Sequence, residues 1–439
     1  MIFKSMLLAA AASVVAFSAS AQAPASAQSA ASAQTTCVLA GRLLADPASG
    51  RVDTNVTLVV SGGRIQRLAR AGEACPQTID LRDSFVLPGL IDSHVHITSE
   101  QNPNGRLEAV TKSSAQRAID GAGFARKTLE AGFTTIVDLG APNEAIFALR
   151  EGIARGQVIG PRILASGSSV SVHGGHGDVN GYRDDVMHAL RTESICSGAD
   201  DCRRAVREQV RAGADLIKIT ATGGVLSNTA AGLNQQFLED ELKSIVEAAH
   251  RMGRKVTAHA HGADGVNAFL RAGGDSIEHG TYLDEESVRL FRQGNRYLVP
   301  TLMAGDFVAR VANSPQNFFT PAQTAKAREA GPKMLDMARR AHGGGVKIAF
   351  GTDSGVSAHG DNAGEFALLV RAGMTPLQAI QTATLNAADH LQLSNEIVTL
   401  AAGKSADLIA VKVDPLRDVT ELQRVTFVMR NGQVHKHTR

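Results

Sequence analysis

The 439-residue sequence has no tryptophan, and aromatic residues make up only 4% of it. Binding surfaces that stack sugar rings or nucleobases are built from aromatic side chains, so this composition argues against such a platform. The formal net charge is only +2, which gives no reason to expect nucleic acid or an anionic membrane surface as a partner. We therefore expect the protein to act on a small-molecule substrate.

The N-terminus lacks a hydrophobic run long enough to cross a membrane. The mostly apolar segment Met6–Phe17 spans 12 residues, whereas a membrane-spanning helix needs roughly 20. Lys4 precedes this segment and small residues follow it, so residues 1–21 are predicted to be a signal peptide cleaved after Ala21. Residues 22–36 are rich in Ala, Ser and Gln and are predicted to form a disordered leader. We expect a periplasmic or secreted protein without a stable membrane anchor.

Cysteine is scarce, with four residues and no C-x-x-C spacing, so a cysteine-based metal site is not expected. In an oxidising compartment, Cys196 and Cys202 could form a disulfide that closes a short loop. Cys37 could likewise pair with Cys75 across an N-terminal sheet. Four buried free thiols are the alternative, and the sequence alone does not fix the connectivity.

The central part of the chain is an alternation of apolar strand-like segments with helical segments. The strand-like segments are Val86–His96, Gly132–Gly140, Pro161–Ser166, Ala214–Thr220, Lys255–His259, Asp275–His279, Tyr297–Pro300 and Val346–Asp353. Strands that alternate with helices over about 300 residues are typical of a parallel barrel. We predict an α/β fold with a (β/α)8 TIM barrel over residues 87–397.

The two ends of the mature chain contain short β-like runs instead. Residues 37–86 include the turn Ser61–Gly63, and residues 398–439 include the turn at Asn431 and Gly432. Each turn lies between two β-like runs, as in a hairpin. Because neither end has enough apolar surface to form a core alone, we predict one small β-sandwich domain built from both termini.

Six polar residues fall at or near the ends of the predicted barrel strands. They are His94, His96, Lys218, His259, His279 and Asp353. A pair of histidines two residues apart on a strand points to one side, and imidazole is a common zinc ligand, but such a pair is weak evidence alone. A lone histidine on an apolar strand is more often a core residue. Since barrel active sites lie at the C-terminal strand ends, the whole set predicts a metal site there.

Lys218 is unusual because it lies inside the apolar segment Leu216–Ile219. Desolvation favours the neutral amine in such a position. A neutral amine can react with carbon dioxide to give a carbamate, which is an anionic ligand able to bridge two cations. The alternative is a lysine that pairs with an acid such as Asp215.

Eight segments between Leu87 and Asp407 carry a resemblance to a known family. They are Leu87–His96, Gly132–Thr135, Gly174–Gly177, Ala214–Lys218, Ala258–Gly262, Ile277–Gly280, Gly351–Ser354 and Gly403–Asp407. In these segments the chain resembles the metal-dependent amidohydrolase superfamily. Within it, the chain is similar to the exported Xaa-Pro dipeptidase (prolidase)-like branch, which includes ochratoxin-hydrolysing amidohydrolases.

This resemblance implies a hydrolase with two divalent metal ions, usually zinc, and a homo-oligomeric state. It implies that one ion is held by His94, His96 and Asp353, the other by His259 and His279, with carbamylated Lys218 and a hydroxide bridging them. Two cations lower the pKa of a bridging water, so hydroxide exists near neutral pH. Asp353 can then accept the proton and pass it to the leaving amine.

Residues in the loops are candidates for substrate contact. His176 matches the family's Gly-Gly-His-Gly segment and would contact the substrate carbonyl or its oxyanion, although an exposed loop histidine is the alternative. Weaker candidates are His173, His261, Tyr282, His359 and Asn228. His261 faces the same side as His259 and could support the ligands. The chain departs from the family at Val137, where an arginine often stands, and at His173, where a small hydroxyl residue is expected.

The reaction implied is hydrolysis of an amide or peptide bond next to a free carboxylate. The substrate would be a dipeptide, an N-acyl amino acid or an ochratoxin-like amide. The alternative is a cyclic-amide or lactone hydrolase with the same metal site. A remote alternative is a metal-binding scaffold that has lost catalysis, against which the complete ligand set argues.

Overall fold

The structure is a computed structural model that describes residues 35–70, 72–229 and 231–438. The predicted signal peptide and nearly all of the predicted leader lie outside these residues, and the first strand begins at Thr36. Within the described residues, we find no helix that is both long and apolar enough to cross a membrane.

Strands and helices follow one another along the described part of the chain. The strands are β1 (Thr36–Leu43), β2 (Asp53–Ser61), β3 (Arg64–Arg70), β4 (Gln77–Pro88), β5 (Leu90–Val95), β6 (Phe133–Asp138), β7 (Arg162–Ala165), β8 (Ser171–Val172), β9 (Ile195–Cys196), β10 (Ile217–Thr220), β11 (Val256–Ala260), β12 (Ser276–His279), β13 (Tyr297–Val299), β14 (Lys347–Ile348), β15 (Leu408–Val411), β16 (Phe427–Arg430) and β17 (Gln433–His437). The helices are α1 (Gly105–Thr111), α2 (Ser114–Glu130), α3 (Asn143–Ala154), α4 (Asp184–Leu190), α5 (Ala199–Ala212), α6 (Glu239–Arg251), α7 (Ala263–Arg271), α8 (Glu285–Gly294), α9 (Leu302–Ala312), α10 (Pro321–Ala330), α11 (Met334–Gly343), α12 (Gly364–Arg371), α13 (Pro376–Gln381) and α14 (Ala387–His390).

Two parallel sheets close into a barrel. One contains β5, β6 and β7, and the other contains β10 to β14 in sequence order. Asp215 N donates to Ala165 O at 2.9 Å and so joins β10 to β7, while Ser93 N donates to Phe350 O at 2.9 Å and joins β5 to the chain after β14. The eight-stranded parallel barrel that the sequence predicts is confirmed.

The barrel strands are buried because helices cover their outer side. Every residue of β5, β6, β10, β11 and β12 is buried, as expected of a parallel sheet wrapped by helices. Helix α5 buries one face, which includes Ala205 and Val206, and leaves its charged residues outside. Polar side chains within such buried strands therefore point to the barrel interior or its mouth.

Strands from both termini form one seven-stranded sheet in the order β17-β16-β15-β4-β1-β2-β3. Strand β4 pairs in parallel with β1 and antiparallel with β15, so it joins the two ends of the chain. The predicted β domain built from both termini is confirmed. After β4 the chain passes through Gly89 into β5, and a Cβ at Gly89 would lie 2.2 Å from Thr134 Oγ1, so only glycine fits there.

Both disulfides considered from the sequence are present. Cys37 pairs with Cys75, and Cys196 pairs with Cys202. The second disulfide fixes β9 to the first turn of α5. Because His173 N donates to Cys196 O at 3.1 Å, this disulfide also supports the start of the loop that carries His176.

Candidate active site

The six predicted ligand residues meet at the C-terminal end of the barrel. His94 lies in β5 and His96 directly follows it; Lys218, His259 and His279 lie in β10, β11 and β12, and Asp353 follows β14. All six line one cavity of about 470 Å³. This is the end of the barrel at which enzymes of this fold carry their active sites.

His94, His96 and Asp353 form the first ligand group. Their ligand atoms all lie within 4.8 Å of one another. Asp353 Oδ1 lies 3.4 Å from His94 Nε2 and 3.2 Å from His96 Nε2. This oxygen is buried and accepts no hydrogen bond from a described residue. A buried carboxylate oxygen without a donor fits a position beside a cation.

Hydrogen bonds at Nδ1 orient the imidazoles of three ligands. His94 Nδ1 lies 2.7 Å from Glu278 Oε2, and His96 Nδ1 donates to Gly140 O at 2.8 Å. His279 Nδ1 lies 2.7 Å from Thr301 Oγ1, which itself donates to Pro300 O and therefore accepts from the ring. Each ring thus presents the lone pair of Nε2 to the site, which is the form that binds metal.

His259, His279 and Lys218 are the remaining predicted ligands of the site. His259 Nε2 donates to Gly223 O at 3.2 Å, which leaves Nδ1 as the ligand atom, and its ring centroid lies 4.6 Å from that of His279. Lys218 Nζ lies 3.4 Å from His94 Nε2 and is fully buried against the barrel interior. Burial lowers the pKa of the Lys218 amine, against the opposing charges of Glu278 and Asp353.

Burial favours the neutral form of three of the four histidine ligands. His96 is the exception, because the hydrogen bond and charge attraction of Asp353 outweigh desolvation and raise the pKa of the ring. Desolvation lowers the pKa of His94, His259 and His279 well below 6.5, and neighbouring cationic groups act in the same direction. Metal binding needs neutral imidazole, so burial suits His94, His259 and His279 as ligands.

Two buried acids that the sequence analysis missed support the ligands. Glu278 accepts from Thr257 Oγ1 as well as facing His94 Nδ1, and burial raises its pKa to about 7. Asp92 accepts from Thr352 Oγ1 at 2.6 Å and from His94 N at 3.1 Å, so it ties β5 to the segment that carries Asp353. The signal that could have found both is a carboxylate within an apolar strand, next to a ligand histidine.

His176 faces the cavity as the sequence predicts. Its ring centroid lies 4.2 Å from that of His259, and its backbone N–H donates to Gln236 Oε1 at 2.9 Å. Nδ1 of His176 is buried without a partner among the described residues. Burial lowers the pKa of His176 to about 3, so a neutral ring is available to a ligand.

The weaker candidates for substrate contact fall in different places. His261 lines the cavity, and its Nδ1 lies 2.8 Å from Thr281 Oγ1. The described residues around the cavity do not include His173, Tyr282 or His359. Asn228 lines an adjoining cavity instead.

Local contacts explain why those three residues point away. His173 is exposed and pairs with Arg191 Nη2 at 2.8 Å. The Tyr282 hydroxyl donates to Glu329 at 2.7 Å. His359 is buried, with Nε2 donating to Ser99 O at 2.9 Å.

Position 137 is part of the apolar interior. Val137 is fully buried and packs with Leu139 and Leu216. An arginine at this position would bury its guanidinium among apolar side chains without a charge partner, which is energetically costly. The structure therefore accounts for valine there by packing.

The cavity has a polar and an apolar wall. Hydroxyl groups of Ser168, Ser169, Thr192 and Ser194 line one part. Val225, Ala304, Val308 and Val356 line another and pack together in one hydrophobic cluster. Apart from histidines, Lys218 and Asp353 are the ionisable side chains among the described residues that line it.

Comparison with known proteins gives consistent matches over most of the chain. The Amidohydrolase family model matches residues 85–435. Ochratoxinase of Aspergillus niger is 31% identical over 431 residues, covering 92% of this chain and 87% of that protein. The structure of a Xaa-Pro dipeptidase with bound methionine in the active site is 38% identical, with a TM-score of 0.87 and coverage of 92% and 100%. A prolidase complexed with N-methylphosphonate-L-proline is 30% identical, with a TM-score of 0.83 and the same coverage.

Proposed function

Since the chain belongs to the amidohydrolase family and is a hydrolase of amide or peptide C–N bonds, we propose that it uses a binuclear metal site to cleave an amide next to a free carboxylate. The observation that carries this proposal is the convergence of six ligand residues on one cavity. The hydrogen bonds of the opposite ring nitrogens leave Nε2 of His94, His96 and His279 and Nδ1 of His259 as the nitrogens available to a cation.

The donor set fits two divalent cations, with zinc the first choice. His94, His96 and Asp353 would hold one ion, and His259 and His279 would hold the other. Imidazole nitrogens with one or two carboxylate oxygens are the ligands that zinc takes in hydrolytic sites. Lys218 would join both ions as a carbamate, since burial lowers the pKa of its amine and so favours the neutral form that takes up carbon dioxide.

The metal ions and the protein side chains would have different roles in the hydrolysis. When bound, the ions supply Lewis-acid polarisation of the scissile carbonyl and make a water molecule acidic enough to act near neutral pH. Asp353 Oδ1 accepts the proton of the attacking water and returns it to the amine nitrogen as the C–N bond breaks. His176, held neutral by burial, donates a hydrogen bond to the carbonyl oxygen as negative charge develops on it.

The cavity supports substrates that carry a carboxylate and an apolar side chain. Two similar structures hold methionine or N-methylphosphonate-L-proline, and both ligands carry a free carboxylate. In this chain, Thr192 and Ser194 line the cavity and share one hydrogen bond, so one of their two hydroxyl groups keeps a hydrogen to donate to such a group. The wall of Val225, Ala304 and Val308 suits an aliphatic or aromatic side chain. Dipeptides, N-acyl amino acids and ochratoxin-like amides all meet this description.

We also propose export from the cytosol. Two disulfides in a chain of four cysteines suit an oxidising compartment. Removal of the first 21 residues should abolish export of the expressed protein, as a cell fractionation assay would show.

A metal-depletion assay with a substrate panel tests the enzymatic proposal. The purified protein is stripped with a chelator, reloaded with zinc and assayed on Xaa-Pro dipeptides, N-acyl amino acids and lactones. We expect activity to vanish on stripping, to return with two equivalents of metal, and to favour the amides. Activity that resists the chelator, with no metal found by elemental analysis, would overturn the binuclear site. Preference for lactones would overturn the amide assignment.

A further inference from the structure

A second cavity of about 370 Å³ adjoins the active-site cavity. The two cavities share Ser99, Gln101, His176 and Leu226 as lining residues. The remaining walls come from the start of α1, the loop before α4, the loop after β10 and the segment before α10. A ligand bound beside His176 therefore has room to extend from one cavity into the other.

The acidic residues of this outer cavity are already engaged within the protein. Asp178 accepts from Gly174 N and Val179 N, each at 2.8 Å. Glu100 accepts from His359 N at 2.9 Å. The Glu108 carboxylate pairs with a lysine four residues along at 3.1 Å. Each of the three carboxylates therefore has a hydrogen-bond or ion-pair partner within the protein.

Three side chains that line the outer cavity keep hydrogen-bond donors without a described partner, whereas the other donors there bond within the protein. Arg106 uses Nη2 to donate to Gly181 O at 2.6 Å, and its other N–H groups have no partner among the described residues. Its guanidinium lies 4.5 Å from the centroid of the Tyr182 ring, which holds it in place. The side-chain amides of Gln101 and Asn228 bond to no described residue. The cavity therefore suits a ligand rich in acceptors.

We propose that the outer cavity binds the acyl-side extension of the substrate, namely a peptide or polar acyl chain that carries carbonyl or carboxylate oxygens. This inference rests on the proposed function. A substrate whose scissile amide lies next to a free carboxylate ends at that carboxylate, so only its acyl side can be longer. His176, which contacts the scissile carbonyl in our proposal, stands at the boundary of both cavities, so the acyl chain starts there.

Three substrates with the same scissile bond test the inference. They are acetyl-Ala-Met, acetyl-Ala-Ala-Met and acetyl-Glu-Ala-Met, from each of which the enzyme would release methionine. We expect kcat/KM to rise about tenfold from the first to the third, as for a hydrogen bond to a charged group. In Arg106→Ala and Asn228→Ala this gain should shrink, because the two variants lose donors that only the longer chains reach.

Arg126→Ala is the matched control, since Arg126 is an exposed arginine on α2 that lines neither cavity. It should leave the ratio between the long and short substrates as in the unaltered protein. The inference is overturned if chain length has no effect, or if Arg106→Ala lowers all three rates by the same factor. Failure of the zinc-loaded enzyme on all three substrates, including the shortest, would overturn the proposed function as well.

Discussion

At the scale of single residues, the site depends on which nitrogen each imidazole presents. Carbonyl and hydroxyl acceptors fix His96 and His279 with Nε2 free, whereas Gly223 O fixes His259 with Nδ1 free. A ring turned the other way would present an N–H to the cation and could not bind it. The residues that accept these hydrogen bonds therefore contribute to metal affinity although they touch no metal.

Asp353→Asn removes the base in our proposal and keeps the size of the side chain. We expect kcat to fall by about 10²–10⁴-fold, the range found for loss of a general base. Turnover of a dipeptide should be measured together with metal content by elemental analysis. Full turnover with two bound ions would contradict the proton transfer assigned to Asp353.

Glu278→Gln tests whether the carboxylate of Glu278 orients the imidazole of the metal ligand His94. The amide can present an N–H to His94 Nδ1 instead of an acceptor, so the ring loses its preferred tautomer. We expect metal affinity, measured by competition with a chelator, to fall by about 10–100-fold. Glu278→Asp, which keeps the carboxylate, should fall less. Equal affinity in the unaltered protein and the glutamine variant would show that His94 is oriented by other contacts.

The sequence predicts the ligands from two simple regularities. Alternate residues of a strand face the same side, and the C-terminal ends of parallel strands lie at the same end of the barrel. The hydrogen bonds of Glu278 to His94 and of Thr301 to His279 follow from neither. Glu278 meets His94 from a strand far along the chain, and Thr301 meets His279 because its backbone adopts a positive φ of 49° after β13. Such contacts depend on strand register and loop conformation, which the residue pattern does not specify.

At the scale of secondary-structure elements, helix α10 holds the loop after β10 in place. Lys326 Nζ donates to Gly224 O at 2.7 Å, to Ser227 O at 2.8 Å and to Thr229 O at 3.2 Å. Gln323 Nε2, one turn earlier, donates to Leu226 O at 2.6 Å. The loop in turn contacts two site histidines. Gly223 O accepts from His259 Nε2 at 3.2 Å, and a Cβ on Gly224 would lie 2.2 Å from the His176 ring. Lys326 is therefore a positioning residue.

Lys326→Met removes the ammonium that donates to the loop carbonyls while keeping most of the length of the side chain. The carbonyls it leaves without a donor should lower the free energy of unfolding by about 2 kcal/mol, and looser loop residues should raise KM more than they lower kcat. Lys333→Met is the control, because Lys333 is an exposed lysine seven residues along the chain. Its unfolding free energy should change by less than about 0.5 kcal/mol.

The pH dependence of the unfolding free energy tests the effect of burial on the Lys326 amine. Burial lowers the pKa of its amine from 10.5 to about 8. Between these values the unfolded chain binds the proton and the folded chain does not, so this group makes the unfolding free energy rise with pH. The difference between the unaltered protein and Lys326→Met, measured by denaturant unfolding, should therefore grow from pH 8 to pH 10. A constant difference would show that the lysine keeps its ordinary pKa.

The barrel strands and their order were predictable because their apolar runs and turn residues repeat regularly. Loop side chains were not. Tyr282 lies close after β12 in sequence, yet its hydroxyl turns to Glu329 on α10. Partners of this kind come from helices some 50 residues away, and no local pattern indicates them.

At the scale of the whole molecule, the β domain and the barrel share one hydrophobic core. Phe85 from β4, Ile409 from β15 and Val428 from β16 pack in the same cluster as the barrel residues Phe133 and Ile277. Because each end of the chain has too few apolar residues for a core of its own, the sequence predicted that both ends would form one domain. It did not predict that β4 would pair with β15, because strand pairing across 300 residues leaves no signature in either segment.

This shared core implies that the barrel cannot fold without the C-terminal strands. Deletion of residues 408–439 removes β15, the partner of β4, and exposes Phe85 and the barrel residues packed against Ile409 and Val428. We expect no cooperative thermal transition by circular dichroism and no metal binding. Deletion of residues 431–439 is the control, since it removes only β17, a largely exposed edge strand. That protein should keep a single transition at a lower melting temperature. A barrel that still binds two ions without residues 408–439 would show that the two parts fold independently.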